Sequence, residues 1–194
     1  ALMASKKGRR EMEDFLTLRA PSWDAVLLTN FSRPHNRHLD GKSVTAIADA
    51  LGKSVMDTIC DLLLDEDLAL CSVNLGGNPL NIRDFFKHPA HMLGSDALLI
   101  GDHLNPRTYG TFPLVLGEFV REEGVLELSQ AIRKMTSFPA QRLGLMDRGL
   151  LRDGMKADIV VFDPDTVGSR ASLEQPQQLP DGISYVLVNG QVVV

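Results

Sequence analysis

Apolar and polar positions follow two rhythms along this chain, and the rhythm changes near residue 144. Residues 6–18 carry charges on one side and Met12, Phe15 and Leu16 on the other, which predicts an amphipathic helix ended by Pro21. "WDAVLLTNF" (23–31) is a compact apolar run of the kind found in fully buried parallel strands. A loop, "SRPHNRHLDG", follows. "SVTAIADALG" then predicts a helix with Ser43 as N-cap and Gly52 as C-cap. "SVMDTICDLLLDED" predicts another, capped by Ser54, with Val55, Ile59, Leu62 and Leu63 at helical spacing. Residues 68–75 read as a strand. "NPLNIRDFFKHP" reads as a short helix closed by Pro89. "AHMLGSDALL" (90–99) reads as a strand running into a loop. A helical pattern covers 112–123, and a last helix starts at Ser129 and is interrupted or ended by Pro139.

After Gly144 the texture is short strands between Gly, Asp and Pro turns, and Asn189-Gly190 inside "VNGQV" signals a hairpin. Strand–helix alternation up to residue 143 predicts an α/β unit with a parallel sheet. The expected organisation is therefore residues 1–143 as one α/β region and 144–194 as a small β element. No internal repeat and no low-complexity segment is present.

Composition narrows the function classes. The chain has 194 residues, 44% hydrophobic and 23% charged, with a formal net charge of -5. This is the make-up of an ordinary globular protein, without the basic face that nucleic acid requires. Lys6, Lys7, Arg9 and Arg10 are followed by Glu11, Glu13 and Asp14, so this cluster is expected to be a solvated helix face. No apolar run is long enough to span a bilayer, and no signal-peptide pattern opens the chain. Cys60 and Cys71 stand in apolar company and are expected to be two buried thiols in a cytoplasmic protein.

Asp96 carries the first chemical signal. In parallel α/β folds the active site is built at the carboxyl ends of strands. A carboxylate there serves as metal ligand, as general base, or merely as a cap for the next segment, and the residues alone leave all three open. Arg107 lies eleven positions on, after Pro106 and before Tyr109. Its planar guanidinium suits two-point recognition of a carboxylate, although a lone arginine is ordinarily a surface residue. His35/His38 and His88/His91 each have the H-x-x-H spacing of a helical metal site, but Pro34 and Pro89 spoil the helix each would need. His103 shares the loop with Asp96 and is the better candidate. Neither cysteine has a base nearby in sequence, so both are expected in the core. A phosphate-cradling glycine loop and a G-x-S-x-G elbow are both absent.

Taken in order, "HPAHMLGSD", "YGTFPLVLGEFVREEG", "AIRKMTSFPAQRLGL", "ADIVVFDP" and "VLVNG" resemble the carboxyl-terminal part of the N-acyl-D-amino-acid deacylases, or D-aminoacylases, of the amidohydrolase superfamily. The resemblance runs from Trp23 onward. It implies a segment of a metal-dependent (β/α)8 barrel plus strands of a small β-sandwich. It implies that Asp96 touches a zinc site and is the base that activates water. It further implies that Arg107, with Asn105 and Tyr109, binds the carboxylate of an N-acyl amino acid. Two positions depart from the family pattern: Ala97 stands where glycine is usual, and Asn105 stands where histidine precedes Pro-Arg.

The family's H-x-H is absent, and a closed barrel needs about 250 residues. The chain is thus expected to be a fragment with the last two or three barrel strands, its other metal ligands lying upstream and its final strand cut at "QVVV". Such a fragment alone is expected to be inactive, to hold zinc poorly, and to self-associate as a homo-oligomer through exposed strand edges. Two other readings stand beside the deacylase. One is a different C–N hydrolase, dihydroorotase-like or imidazolone-hydrolysing; the other is a non-catalytic, self-associating fragment.

Overall fold

A computed structural model describes residues 2–17, 22–75, 77–101 and 104–194. The chain forms two compact units. The first comprises the residues up to Gly77 together with Leu99–Asn105; the second comprises Asn78–Leu98 and Pro106–Val194. The division therefore does not fall at 143/144, where the sequence texture changes, and the β-rich tail shares its unit with four helices.

The first unit contains α1 (Lys6–Thr17), β1 (Val26–Thr29), α2 (Val44–Leu51), α3 (Val55–Asp65) and β2 (Cys71–Asn74). Ser43 and Ser54 cap α2 and α3 as expected, their side chains accepting from the amides of Ala46 and Asp57. Gly52 closes α2 at φ 62, a left-handed position that glycine adopts without steric penalty. The core is Val26, Leu28, Phe31, Leu39, Val44, Ile47 and Leu62. Cys60 is fully buried in α3, whereas Cys71 is only half-buried, so one of the two expected buried thiols is not in the core.

The expected parallel sheet is not formed here. β1 and β2 pair antiparallel, Val26 opposite Asn74 and Thr29 opposite Cys71. The other edge of β1 is covered by Gly41–Ser43, with Leu28 N donating to Lys42 O and Gly41 N to Leu28 O. β2 starts later than its apolar run suggests because Asp67 and Leu68 are both left-handed (φ 52 and 63), hooking the chain back after α3. The basic cluster on α1 is not wholly solvated either. Arg9 keeps only 19% of its side-chain exposure and bridges Asp57 and Asp61 of α3 at 2.7 and 2.5 Å.

The second unit contains α4 (Pro79–Lys87), α5 (Arg107–Leu114), α6 (Leu128–Met135), α7 (Ser137–Arg142), β3 (Ile159–Phe162), β4 (Ile183–Val188) and β5 (Gln191–Val192). α5 runs directly into a π-helical stretch, Val115–Glu122. Pro113 inside α5 has no N–H to donate and crowds the preceding turn, so the tight helical ladder gives way to the wider one. The break between α6 and α7 falls at Thr136 (φ -127, ψ -88), three residues before Pro139, which sits in the first turn of α7. β3, β4 and β5 form an antiparallel sheet. Asn189 and Gly190, at φ 52 and 79, make the two-residue hairpin read from the sequence. Leu116, Leu126, Ala131 and Val167 form the core, with Phe162 and Ile183 packed against them.

The strand expected over 90–99 is absent. Among the described residues, the main chain of 92–98 makes one hydrogen bond to another element, Leu93 N to Lys134 O at 3.0 Å. An extended run becomes a strand only where a neighbour completes its ladder.

Candidate active site

Residues 92–98, neither helix nor strand, carry Asp96 at the surface of the second unit. Asp96 has φ 48, a left-handed conformation that aspartate tolerates better than most residues and that is common at functional positions. Its side chain is 86% exposed and its Oδ2 lies 3.0 Å from Arg107 Nη2. The two residues singled out in the sequence are thus brought together across eleven positions. Arg107 opens α5, where Pro106 supplies the first carbonyl of the helix: the amide of Gly110 donates to it at 2.9 Å. An exposed pair of this kind adds little stability, so folding alone gives no reason to retain it.

The other expected members are placed differently. Tyr109 follows Arg107 by two positions on a helix and therefore points about 200° away from it. Asn105 is half-buried and belongs to the first unit. His103 lies outside the described residues.

A cleft of about 370 Å³ opens beside Arg107 in the second unit. Its walls include Phe86, His91, Met92, Gly94, Arg107 and Phe119, so it is chiefly apolar. His91 Nδ1 is buried there without a hydrogen-bond partner among the described residues, and its ring stacks obliquely on Phe86 at 5.2 Å. Burial, and then the nearby positive charge of Lys134, push the His91 imidazole below its ordinary pKa. His88 ends α4, so neither H-x-x-H pair lies within a helix; His35 instead meets Asp65, Nε2 to Oδ2 at 2.7 Å.

Zinc implies three or four His, Cys, Asp or Glu ligands. Among the described residues no three of these come together, and Asp96 already faces a guanidinium. The residues present do not by themselves fit a zinc centre.

Sequence reading missed Lys134. It occupies the apolar stripe of α6, three positions after the fully buried Ala131, and is 5% exposed. A lysine at a core-facing position was the available signal.

The sequence profile of the amidohydrolase family matches residues 77–194. The N-acyl-D-glutamate deacylase of Alcaligenes xylosoxydans xylosoxydans is 39% identical over 178 residues, which is 90% of this chain and 34% of that protein. The D-aminoacylase of the same organism is 36% identical, over 80% of this chain and 31% of that one. The crystal structure of N-acyl-D-glutamate deacylase from Bordetella bronchiseptica, complexed with zinc and a phosphonate mimic of the tetrahedral intermediate, superposes with a TM-score of 0.81 at 35% identity. That match covers 91% of this chain and 36% of the other. The chain spans about a third of the length of these relatives.

Proposed function

Because this chain belongs to the amidohydrolase family, we propose that it supplies the carboxyl-terminal third of a hydrolase that cleaves the amide bond of N-acyl-D-amino acids. The observation that carries the reading is the Asp96–Arg107 pair, a surface carboxylate and a guanidinium held 3.0 Å apart on a bent arm and a helix start. Both residues are those the family resemblance assigns to chemistry.

In this reading Asp96 is the general base. Its carboxylate takes a proton from water as the oxygen adds to the amide carbonyl carbon. The same proton then passes to the nitrogen as the C–N bond breaks, which releases a carboxylic acid and a free amino acid. Arg107 receives the substrate carboxylate in two-point fashion, exchanging one anionic partner for another. Tyr109 joins the proposed substrate contacts as a subordinate member, since it is turned away from Arg107. Zinc belongs to this proposal as the metal of the complete enzyme, with Asp96 touching it and the remaining ligands in the part of the relatives' length that this chain does not span.

The test uses the complete enzyme that carries this sequence. Asp96→Ala removes turnover of N-acyl-D-amino acids while circular dichroism shows a folded protein; near-normal turnover would overturn the assignment. Arg107→Lys keeps the charge but loses the fork. It raises KM by about tenfold, the worth of one charge-assisted hydrogen bond, and changes kcat far less. A substrate panel of N-acyl-D- and L-amino acids beside cyclic amides separates the deacylase from a dihydroorotase-like or imidazolone-hydrolysing enzyme. The 194-residue chain alone shows no stoichiometric zinc uptake at micromolar metal by calorimetry.

A further inference from the structure

We infer that Lys134 is a positioning residue that fixes the segment bearing Asp96. The inference rests on the reading of Asp96 as the base.

Three contacts converge on this lysine. Its Nζ donates to the carbonyl of His88 at 2.7 Å and to that of His91 at 3.1 Å, while its own carbonyl accepts from Leu93 N at 3.0 Å. One residue of α6 therefore holds both ends of the six-residue stretch from His88 to Leu93. The stretch is a turn, closed by His91 N donating to His88 O, and Asp96 follows it by three positions. Among the described residues no ladder supports 92–98 from the side, so the direction in which the arm leaves the turn, ahead of the exposed Asp96–Arg107 pair, depends on these bonds.

The chemistry of the site suits the role. Lys134 is 5% exposed and is partnered by carbonyls; no carboxylate lies within ion-pair distance of it among the described residues. Burial, followed by the charge of Arg133, lowers its ammonium below the ordinary lysine pKa. A stem of four methylenes threads an apolar helix face to deliver a compact triple donor to main-chain oxygens. An apolar residue of the same length leaves the His91 oxygen without this donor and the His88 oxygen with the His91 amide alone, and frees the turn to shift. Displacement by about 1 Å at a catalytic group costs up to roughly a hundredfold in rate.

The experiment compares Lys134→Met, which keeps the stem, with Lys134→Arg, which keeps the donors. In the 194-residue chain, hydrogen exchange at the Leu93 amide becomes at least about tenfold faster in Lys134→Met, while the Ala131 amide within α6 is unchanged. Lys134→Arg retains most of the Leu93 protection. In the complete enzyme, Lys134→Met lowers kcat by about ten- to a hundredfold with KM within about twofold, and Lys134→Arg recovers most of it. A folded Lys134→Met chain with less than twofold change at Leu93 would overturn the inference, as would a uniform rise in exchange across α6, which marks a purely structural lysine. Should Lys134→Met fail to fold, Lys134→Arg decides by keeping or losing protection at Leu93. Failure of the underlying reading looks different: Asp96→Ala then leaves turnover intact, while exchange at Leu93 still reports whether Lys134 holds the arm.

Discussion

Glu66 is 1% exposed and accepts from Ser32 N, Ser32 Oγ, Arg33 N and Asn36 Nδ2, while its neighbours Asp65 and Asp67 bind His35 and Arg33. Three consecutive acids thus clasp one loop. Burial alone pushes the Glu66 carboxyl up; the hydrogen bonds from Ser32, Asn36 and the Arg33 and Ser32 amides outweigh it and bring the pKa down to about 2. A carboxylate depressed in the folded state stabilises above its unfolded pKa and loses that contribution as pH falls through the folded value. The first unit should therefore weaken from about pH 4.5 downward, the loss being complete near pH 2. Glu66→Ala strips four donors of their acceptor and should cost about 3 kcal/mol at neutral pH, with a flattened acid limb, as read by urea denaturation at several pH values. Sequence patterning offered no hint of this, because "LLLDEDL" reads as a helix end with solvated charges. The decisive fact is a loop thirty residues upstream whose amides point at one of the three acids. Asp96 and Arg107 stand out in the sequence for the opposite reason, their neighbours along the chain, and the structure adds only that the two side chains meet at 3.0 Å.

Helix caps and turns are local, and they were read correctly: Ser43, Ser54, Gly52 and the Asn189-Gly190 hairpin are each decided within four or five residues. Strand partners are not local. "WDAVLLTNF" announces burial but not direction, and β1 pairs antiparallel; "AHMLGSDALL" announces an apolar run but not the absence of a neighbour. The turn into β4 shows how such elements are pinned by close approach. Gly182 has φ 72, and a Cβ there would lie 2.5 Å from Val167 N. Gly182→Ala combines a left-handed alanine with a main-chain clash, and should lower stability by about 2 kcal/mol, visible as a fall of several degrees in the thermal midpoint. Gly154, also left-handed but facing open space, should cost clearly less on the same substitution.

At the scale of the molecule, large apolar side chains remain uncovered on both units, among them Leu68, Leu80, Phe85, Leu143, Met146 and Leu151. No helix among the described residues is long and apolar enough to cross a membrane. Exposure on this scale favours association, and light scattering of the isolated chain should give a mass of at least a dimer; a monodisperse monomer would contradict the expected homo-oligomer. The course of the chain adds a constraint on how it can be divided. Leu99–Asn105 leaves the second unit, packs with the first, and returns. Gly101, at φ 78, lies so close to Asn30 that a Cβ would sit 2.4 Å from its side-chain oxygen, and Leu104 is buried. Asp96 and Arg107 tie together the two ends of this excursion. A single scission after Gly77 would therefore leave the amino-terminal piece without a heptapeptide that belongs to it. Complementation by a synthetic 99–105 peptide, or a rearranged gene that splices those residues onto the amino-terminal piece, is the way to recover that half intact.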